Sequence, residues 1–343
     1  WPEGPHIYKK GDYYYIMHAE GGTGPEHAVT ICRSRDIWGP YENNFCNPIL
    51  THRHLGFDYP IKYVGHADLI ETPKGEWYMT MLAVRPLEGF TTMGRETFLA
   101  KVTWENDWPV VNPGVGILTE TVEIDLPEWK PEEDPTSYTC RTGHKTCVPG
   151  SNRTYDFANM KVLGDEFLML RNPKDDMYAL VEGKGLCLKF DTVTLKEKAS
   201  PSCVAIRQQH HQFEVAAELS TKEVTTGKTA GLVLVQSNEY HLKAEIAGGK
   251  AQVILCENSE DTCLGSAEVT ADMVTLKLKI DLLKASVILA EGDKETVLAD
   301  NIDVRKLSTE VAGGFVGCCV GVYAVADVAD GTSACFTKLS YKA

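Results

Sequence analysis

No apolar run in the chain approaches the roughly 20 residues that a membrane-spanning helix requires, which argues against a helical membrane protein. Basic residues are also scarce. Lys and Arg number 34 against 48 Asp and Glu, for a net charge of −14. That balance argues against nucleic acid and anionic membrane surfaces as partners, because both demand a basic footprint; a neutral sugar is compatible with it. The cysteines contain no pair of Cys-x-x-Cys motifs, so a structural zinc site is the weaker reading of them. Tryptophan is absent beyond Trp129, and all six fall in the first part of the chain. The sequence opens on Trp1 and shows no signal-like apolar stretch ahead of it, so a processed chain or a fragment is expected.

What is present is ordinary globular material: 343 residues, 43% hydrophobic and 24% charged, enough for two domains with separate cores. Eleven cysteines are many for a cytosolic protein. Several form close couples in turn-rich segments: Cys140 with Cys147, Cys187 with Cys203, Cys256 with Cys263, and Cys318 or Cys319 with Cys335. Such spacing predicts disulfide staples in an oxidising compartment. The odd count leaves at least one thiol free or bonded outside this chain. Asn152-Arg153-Thr154 is a glycosylation sequon, and with the cysteines it predicts an extracellular, secreted protein.

The first half repeats itself. Lys10-Gly11-Asp12-Tyr13-Tyr14-Tyr15 returns as Lys74-Gly75-Glu76-Trp77-Tyr78-Met79, and Asp36-Ile37-Trp38-Gly39-Pro40 is echoed by Glu105-Asn106-Asp107-Trp108-Pro109. Units of roughly 60 residues with short strands, turns and aromatics are the signature of propeller blades. Two are expected, at about 1–46 and 61–111. Glu3 precedes a Gly-Pro turn and an aromatic-rich strand, and so sits where a strand begins, at the rim of its sheet. The tryptophans read mostly as packing between blades.

Prolines 127, 131, 135 and 149, spread among acidic and polar residues, mark 123–155 as a linker. Beyond it the apolar period is two. Phe213, Val215, Ala217 and Leu219 alternate with Glu214, Ala216 and Glu218, and Leu276, Leu278 and Ile280 alternate with Lys277, Lys279 and Asp281. Short alternating strands with Gly, Asn and Asp turns predict a β-sandwich over 156–343.

Several ordered motifs carry a resemblance. Glu3-Gly4-Pro5-His6-Ile7-Tyr8-Lys9, Ala19-Glu20-Gly21-Gly22-Thr23, His27-Ala28-Val29-Thr30-Ile31, Gly65-His66-Ala67-Asp68-Leu69 and Gly94-Arg95-Glu96-Thr97 closely resemble glycoside hydrolase family 43, the β-xylosidases and α-L-arabinofuranosidases. Phe167-Leu168-Met169-Leu170-Arg171-Asn172-Pro173, Arg207-Gln208-Gln209-His210 and Gly314-Phe315-Val316-Gly317-Cys318-Cys319 resemble the concanavalin-like sandwich attached to many of them. The cysteine couples and the linker depart from bacterial members. The resemblance implies an all-β chain: the last blades of a five-bladed propeller over 1–122, then a jelly-roll sandwich. It further implies that the chain begins about halfway through the catalytic domain, and that an upstream segment or a separate polypeptide completes it.

The same resemblance implies roles. Glu3 is the general acid, Arg95 binds the sugar hydroxyls through its rigid fork of donors, and His66 lies under the site near the propeller axis. In some members that histidine helps hold a calcium ion, although one imidazole with waters is sparse for calcium. Asp68 is expected to point the same way as His66 and support it, and Glu96 to face the other side of its strand. The implied chemistry is hydrolysis with inversion of terminal xylose or arabinofuranose on xylo- or arabino-oligosaccharides, with an upstream carboxylate as base about 6.5–9.5 Å from Glu3. The rival readings are a lectin-like carbohydrate-binding protein that has lost catalysis, and a family 43 enzyme acting on galactan or arabinan.

Overall fold

Alternation of apolar and polar residues is enforced by the two-residue period of a strand, and in the computed structural model, which describes residues 1–123 and 152–343, nearly every such run becomes a strand. The chain divides into two units. One comprises Trp1–Gly89 and the described residues from Gly94 to Glu123; the other comprises Phe90–Met93 and the described residues from Asn152 to Ala343. The assignment of Phe90–Met93 departs from the continuous 1–122 domain expected from the sequence. Thr91 and Thr92 are held there by hydrogen bonds: Thr309 N–H donates to Thr91 O (3.2 Å), Cys318 N–H to Thr92 O (3.0 Å), and Thr91 N–H to the Glu310 carboxylate (2.7 Å).

In the first unit β1 (Glu3–Lys10), β2 (Tyr13–Glu20), β3 (Ala28–Ser34) and β4 (Glu42–Asn43) run antiparallel in that order, with β5 (Leu50–Thr51) also pairing β3. A second meander follows in the order β6 (Lys62–Glu71), β7 (Trp77–Val84), β8 (Glu96–Glu105) and β9 (Trp108–Val111). The repeated motif falls on the turn between first and second strands of each sheet. Gly11 (φ 56°) and Gly75 (φ 81°) supply there the left-handed backbone that a side chain would strain. The echoed aromatic segment falls between the third and fourth strands of each.

One apolar core joins the two sheets. Tyr15, Met17, Val29 and Ile31 come from the first, and Val64, Ala67, Met79, Met81 and Ala83 from the second. Each large side chain so buried contributes about 1.5–3 kcal/mol. Trp104 stands edge-on to both Tyr15 (5.0 Å) and Trp77 (5.2 Å), and the Arg33 guanidinium lies 4.0 Å over the Trp108 ring. Three tryptophans are therefore packing between sheets, whereas Trp1 and Trp38 are each 91% exposed. Trp129 lies outside the described residues.

The second unit is a sandwich of two antiparallel sheets. One contains Gln212–Ser220 at its centre, between Ser333–Lys342 and Met273–Asp281; the other contains Lys228–Val235 between Cys319–Ala326 and His241–Ala247. Phe213, Val215, Ala217 and Leu219 are all buried and stand in register with Ile280, Leu278, Leu276 and Val274. The expected alternation is thus what builds the core. The Arg207-Gln208-Gln209 run is used within this unit: Arg207 donates to Met93 O, Gln208 to His210 O, and Gln209 accepts from Arg153.

The cysteine pairing differs from expectation. Cys187 bonds Cys335, 148 residues away, because these two are directly opposite one another on paired strands. Cys203 cannot meet Cys187, since its strand Ser202–Arg207 belongs to the other sheet, where it is buried and free. Cys256 and Cys263 are on neighbouring strands but two residues out of register. Cys256 faces Asp261 and Cys263 faces Ile254, and both thiols are free. Cys318 and Cys319 are also free, so neither couples to Cys335. Cys140 and Cys147 lie outside the described residues, as does most of the 123–155 linker. Asn152 of the sequon is exposed, and its side-chain carbonyl accepts the Ala343 N–H at 3.1 Å.

A cross-link closing so long a loop restricts the unfolded chain strongly. Paired Cys187→Ser and Cys335→Ser replacement is expected to destabilise the second unit by about 2–5 kcal/mol. Denaturant unfolding with and without reductant checks this: wild type should fall to the variant's midpoint on reduction, and a variant that unfolds with the oxidised wild type would refute it.

Candidate active site

Glu3 opens β1 and is followed by Gly4, whose φ of 54° turns the backbone so that the strand enters the sheet through a register shift before His6. Across from it β6 is irregular in the same way. Tyr63 (φ 56°) and His66 (φ 51°) both occupy the left-handed region, and the pairing with β7 shifts on each side of Gly65. Such bulges re-aim side chains. Here they bring the His66 ring onto the backbone of Gly4 and place His66 Nδ1 3.7 Å from Glu3 Oε1. A Cβ on Gly4 would fall 2.6 Å from His66 Nε2, so the close approach depends on glycine. Both side chains remain accessible, at 46% for Glu3 and 40% for His66.

His27, at the edge of β3, is the residue that the sequence reading passed over as a functional group. Its ring is 1% exposed and rests on Gly65, where a Cβ would come within 2.5 Å. Nδ1 bonds the carbonyl of Tyr63 at 2.8 Å, which makes Nε2 the acceptor nitrogen, and that atom is buried without a hydrogen-bond partner. Burial holds the imidazole below its ordinary pKa; the Tyr63 carbonyl and the Glu3 carboxylate oppose this, and His66 and Arg95 reinforce it. The only sequence sign was the position of His27 in the His-Ala-Val-Thr motif and the glycine before His66.

Arg95 lies immediately before β8 and is half-buried, while Glu96 turns away. The Glu96 carboxylate takes a two-pronged bond from Arg85, at 3.0 and 2.6 Å. Asp68 does not join His66. The register shift between Gly65 and Asp68 breaks the strand period, and the carboxylate instead accepts the Tyr8 hydroxyl at 2.5 Å and lies 3.5 Å from His6 Nδ1. Burial and this carboxylate push the Tyr8 phenol up, so it remains a donor and ties β1 to β6. His52, in the segment before β6, is core: its two nitrogens bond Ile61 O (2.7 Å) and Leu118 N–H (2.8 Å).

Calcium takes six to eight oxygen ligands. Around His66 the described residues offer one carboxylate, that of Glu3, beside two imidazoles, and they group no second acidic side chain with them. These residues do not by themselves make a calcium site, and no chemical step below passes through one.

Residues 1–109 match the profile of glycosyl hydrolases family 43, and residues 154–342 match the β-xylosidase C-terminal concanavalin A-like domain. A xylosidase/arabinosidase of Butyrivibrio fibrisolvens is 39% identical over 94% of this chain and 61% of its own length. A non-reducing-end α-L-arabinofuranosidase of Bacteroides ovatus is 33% identical over 94% and 59%. Among solved structures, a xylan β-1,4-xylosidase of Bacillus halodurans superposes with a TM-score of 0.85 at 30% identity, covering all of this chain and 65% of that one. The chain thus spans about three-fifths of the curated relatives it matches. With its first part matching the hydrolase profile and its second the C-terminal domain of the β-xylosidases, the chain belongs to glycosyl hydrolase family 43.

Proposed function

We propose that the complete protein is a secreted glycosidase that removes terminal xylose or arabinofuranose from hemicellulose oligosaccharides with inversion. The observation that carries this reading is the pairing of Glu3 with His66, 3.7 Å apart beside the glycine-seated His27, within the segment that matches the hydrolase family. Glu3 gives its proton to the leaving-group oxygen as the glycosidic C–O bond breaks. A water attacks the anomeric carbon from the opposite face and loses its proton to a carboxylate outside residues 1–343. Arg95 and His66 hold the terminal sugar by its hydroxyls. The accessible Glu3 and His66 side chains suit a site that substrate reaches from solvent. The Cys187–Cys335 bond and the exposed sequon asparagine support secretion.

The test is the configuration of the first-formed sugar. Full-length protein given an aryl β-xyloside and an aryl α-L-arabinofuranoside should release both sugars, xylose appearing first as its α-anomer in the proton NMR spectrum. Initial β-xylose would overturn inversion. Binding of oligosaccharide with no release of either sugar would overturn the enzymatic reading in favour of a lectin-like protein.

A further inference from the structure

Three neighbouring strands of the second unit, His241–Ala247, Lys250–Glu257 and Glu260–Glu268, place His241, Cys256 and Asp261 in one cross-strand row. His241 pairs with Cys256 and Cys256 with Asp261, so all three side chains stand on the same face. A donor atom from each lies within 4.8 Å of the other two. The His241 ring is fully buried; Nδ1 is bonded to the carbonyl of Ser237 at 3.3 Å, and Nε2 is buried with no partner. A backbone carbonyl on one ring nitrogen with a bare lone pair on the other is the arrangement that orients a metal-ligating histidine. Most buried side-chain polar atoms have a hydrogen-bond partner, which leaves the bare Nε2 of His241 in want of one.

From this geometry we propose that His241, Cys256 and Asp261 form a binding site for a borderline-soft divalent cation, zinc before others. The donor set decides the ion. One imidazole, one thiol and one carboxylate are wrong for calcium or magnesium, which take oxygen throughout, and right for zinc. Tetrahedral zinc, with bonds of ~2.0 Å to nitrogen and ~2.3 Å to sulfur, needs donors about 3.3–3.8 Å apart, so the row closes by no more than about 1.5 Å. On binding, the Cys256 S–H bond breaks, the proton leaves to solvent and the thiolate pair forms the S–Zn bond. The thiol now donates to Glu239 O at 3.5 Å. A fourth position is left for water.

The surrounding charges are two lysines and a glutamate. Lys196 lies 3.1 Å and Lys243 3.7 Å from Asp261 Oδ2, and both compete with a cation for that carboxylate. Lys243 has a second partner in the buried Glu245, 3.6 Å away, and retains it when the metal takes Asp261. Lys196 Nζ has no second carboxylate among its ion pairs in the described residues and sets the main electrostatic opposition.

The experiment is metal titration of the full chain with Zn²⁺ alone and with Co²⁺ alone, in a Cys46→Ser/Cys263→Ser background that removes the exposed thiols of the described residues. One equivalent of Zn²⁺ should survive dialysis, and Co²⁺ should give thiolate-to-metal charge-transfer absorption that vanishes in Cys256→Ser. Because Asp261 is partly exposed, Asp261→Asn should keep the fold while weakening binding by at least about tenfold. Lys196→Gln should tighten it. Folded background protein that shows no thiolate–cobalt band would overturn the proposal, and so would unchanged Zn²⁺ affinity in both Asp261→Asn and Cys256→Ser.

Discussion

Replacing Glu3 by Gln in the complete enzyme is expected to lower kcat/KM on an alkyl xyloside by about 10²–10⁴-fold, the range over which a positioned proton donor contributes. That is about 3–5 kcal/mol of transition-state stabilisation. The amide keeps the size and polarity of the side chain, and Glu3 is half-exposed, so the fold should be untouched. The informative readout is leaving-group dependence. An alkoxide leaves only if protonated, whereas a nitrophenolate leaves unaided, so the loss should shrink strongly on a nitrophenyl glycoside. An equal loss on both substrates would assign Glu3 a positioning role in place of proton donation. Turnover unchanged on both would remove it from the mechanism.

Arg95→Ala is expected to be comparably damaging for a different reason. A guanidinium that donates two hydrogen bonds to sugar hydroxyls contributes about 1.5–3 kcal/mol for each. Losing both would cost about 10²–10⁴ in kcat/KM. Arg95→Lys restores the charge and not the planar fork, so it should recover only part of the loss. The loss should also appear equally for good and poor leaving groups, which separates it from that of Glu3. Full activity in Arg95→Ala would exclude the arginine from the sugar pocket. Because Arg95 also bears on His27, the unfolding midpoint of each variant distinguishes a binding loss from a disturbed ring.

Much of the architecture was legible because strand periodicity and turn chemistry are local. The glycines at 11 and 75 mark equivalent turns, and the 213–219 and 276–280 alternations face the core as their period requires. Glu3, His66 and Arg95 were legible as motif residues, although only folding sets Glu3 beside His66. Asp68 was misplaced since a strand was assumed regular, and the bulge beside Gly65 cannot be seen in the order of residues. His27 was missed because a histidine among Ala, Val and Thr reads as core until its unpartnered nitrogen is located.

The cysteines draw the boundary most clearly. Their number, read from the sequence alone, was enough to predict disulfide bonding. Which thiols meet is decided by strand order: Cys187 finds Cys335 across 148 residues because the chain's last strand pairs with the one carrying Cys187, while Cys203, nearer in sequence, is in the other sheet. The row of His241, Cys256 and Asp261 has the same origin, since residues with no recognisable metal-ligand spacing become neighbours only when three strands align in register. Composition and period are properties of neighbours along the chain; register, bulges and sheet order are properties of backbone hydrogen bonding between distant segments, and those placed every chemically pointed group in this protein.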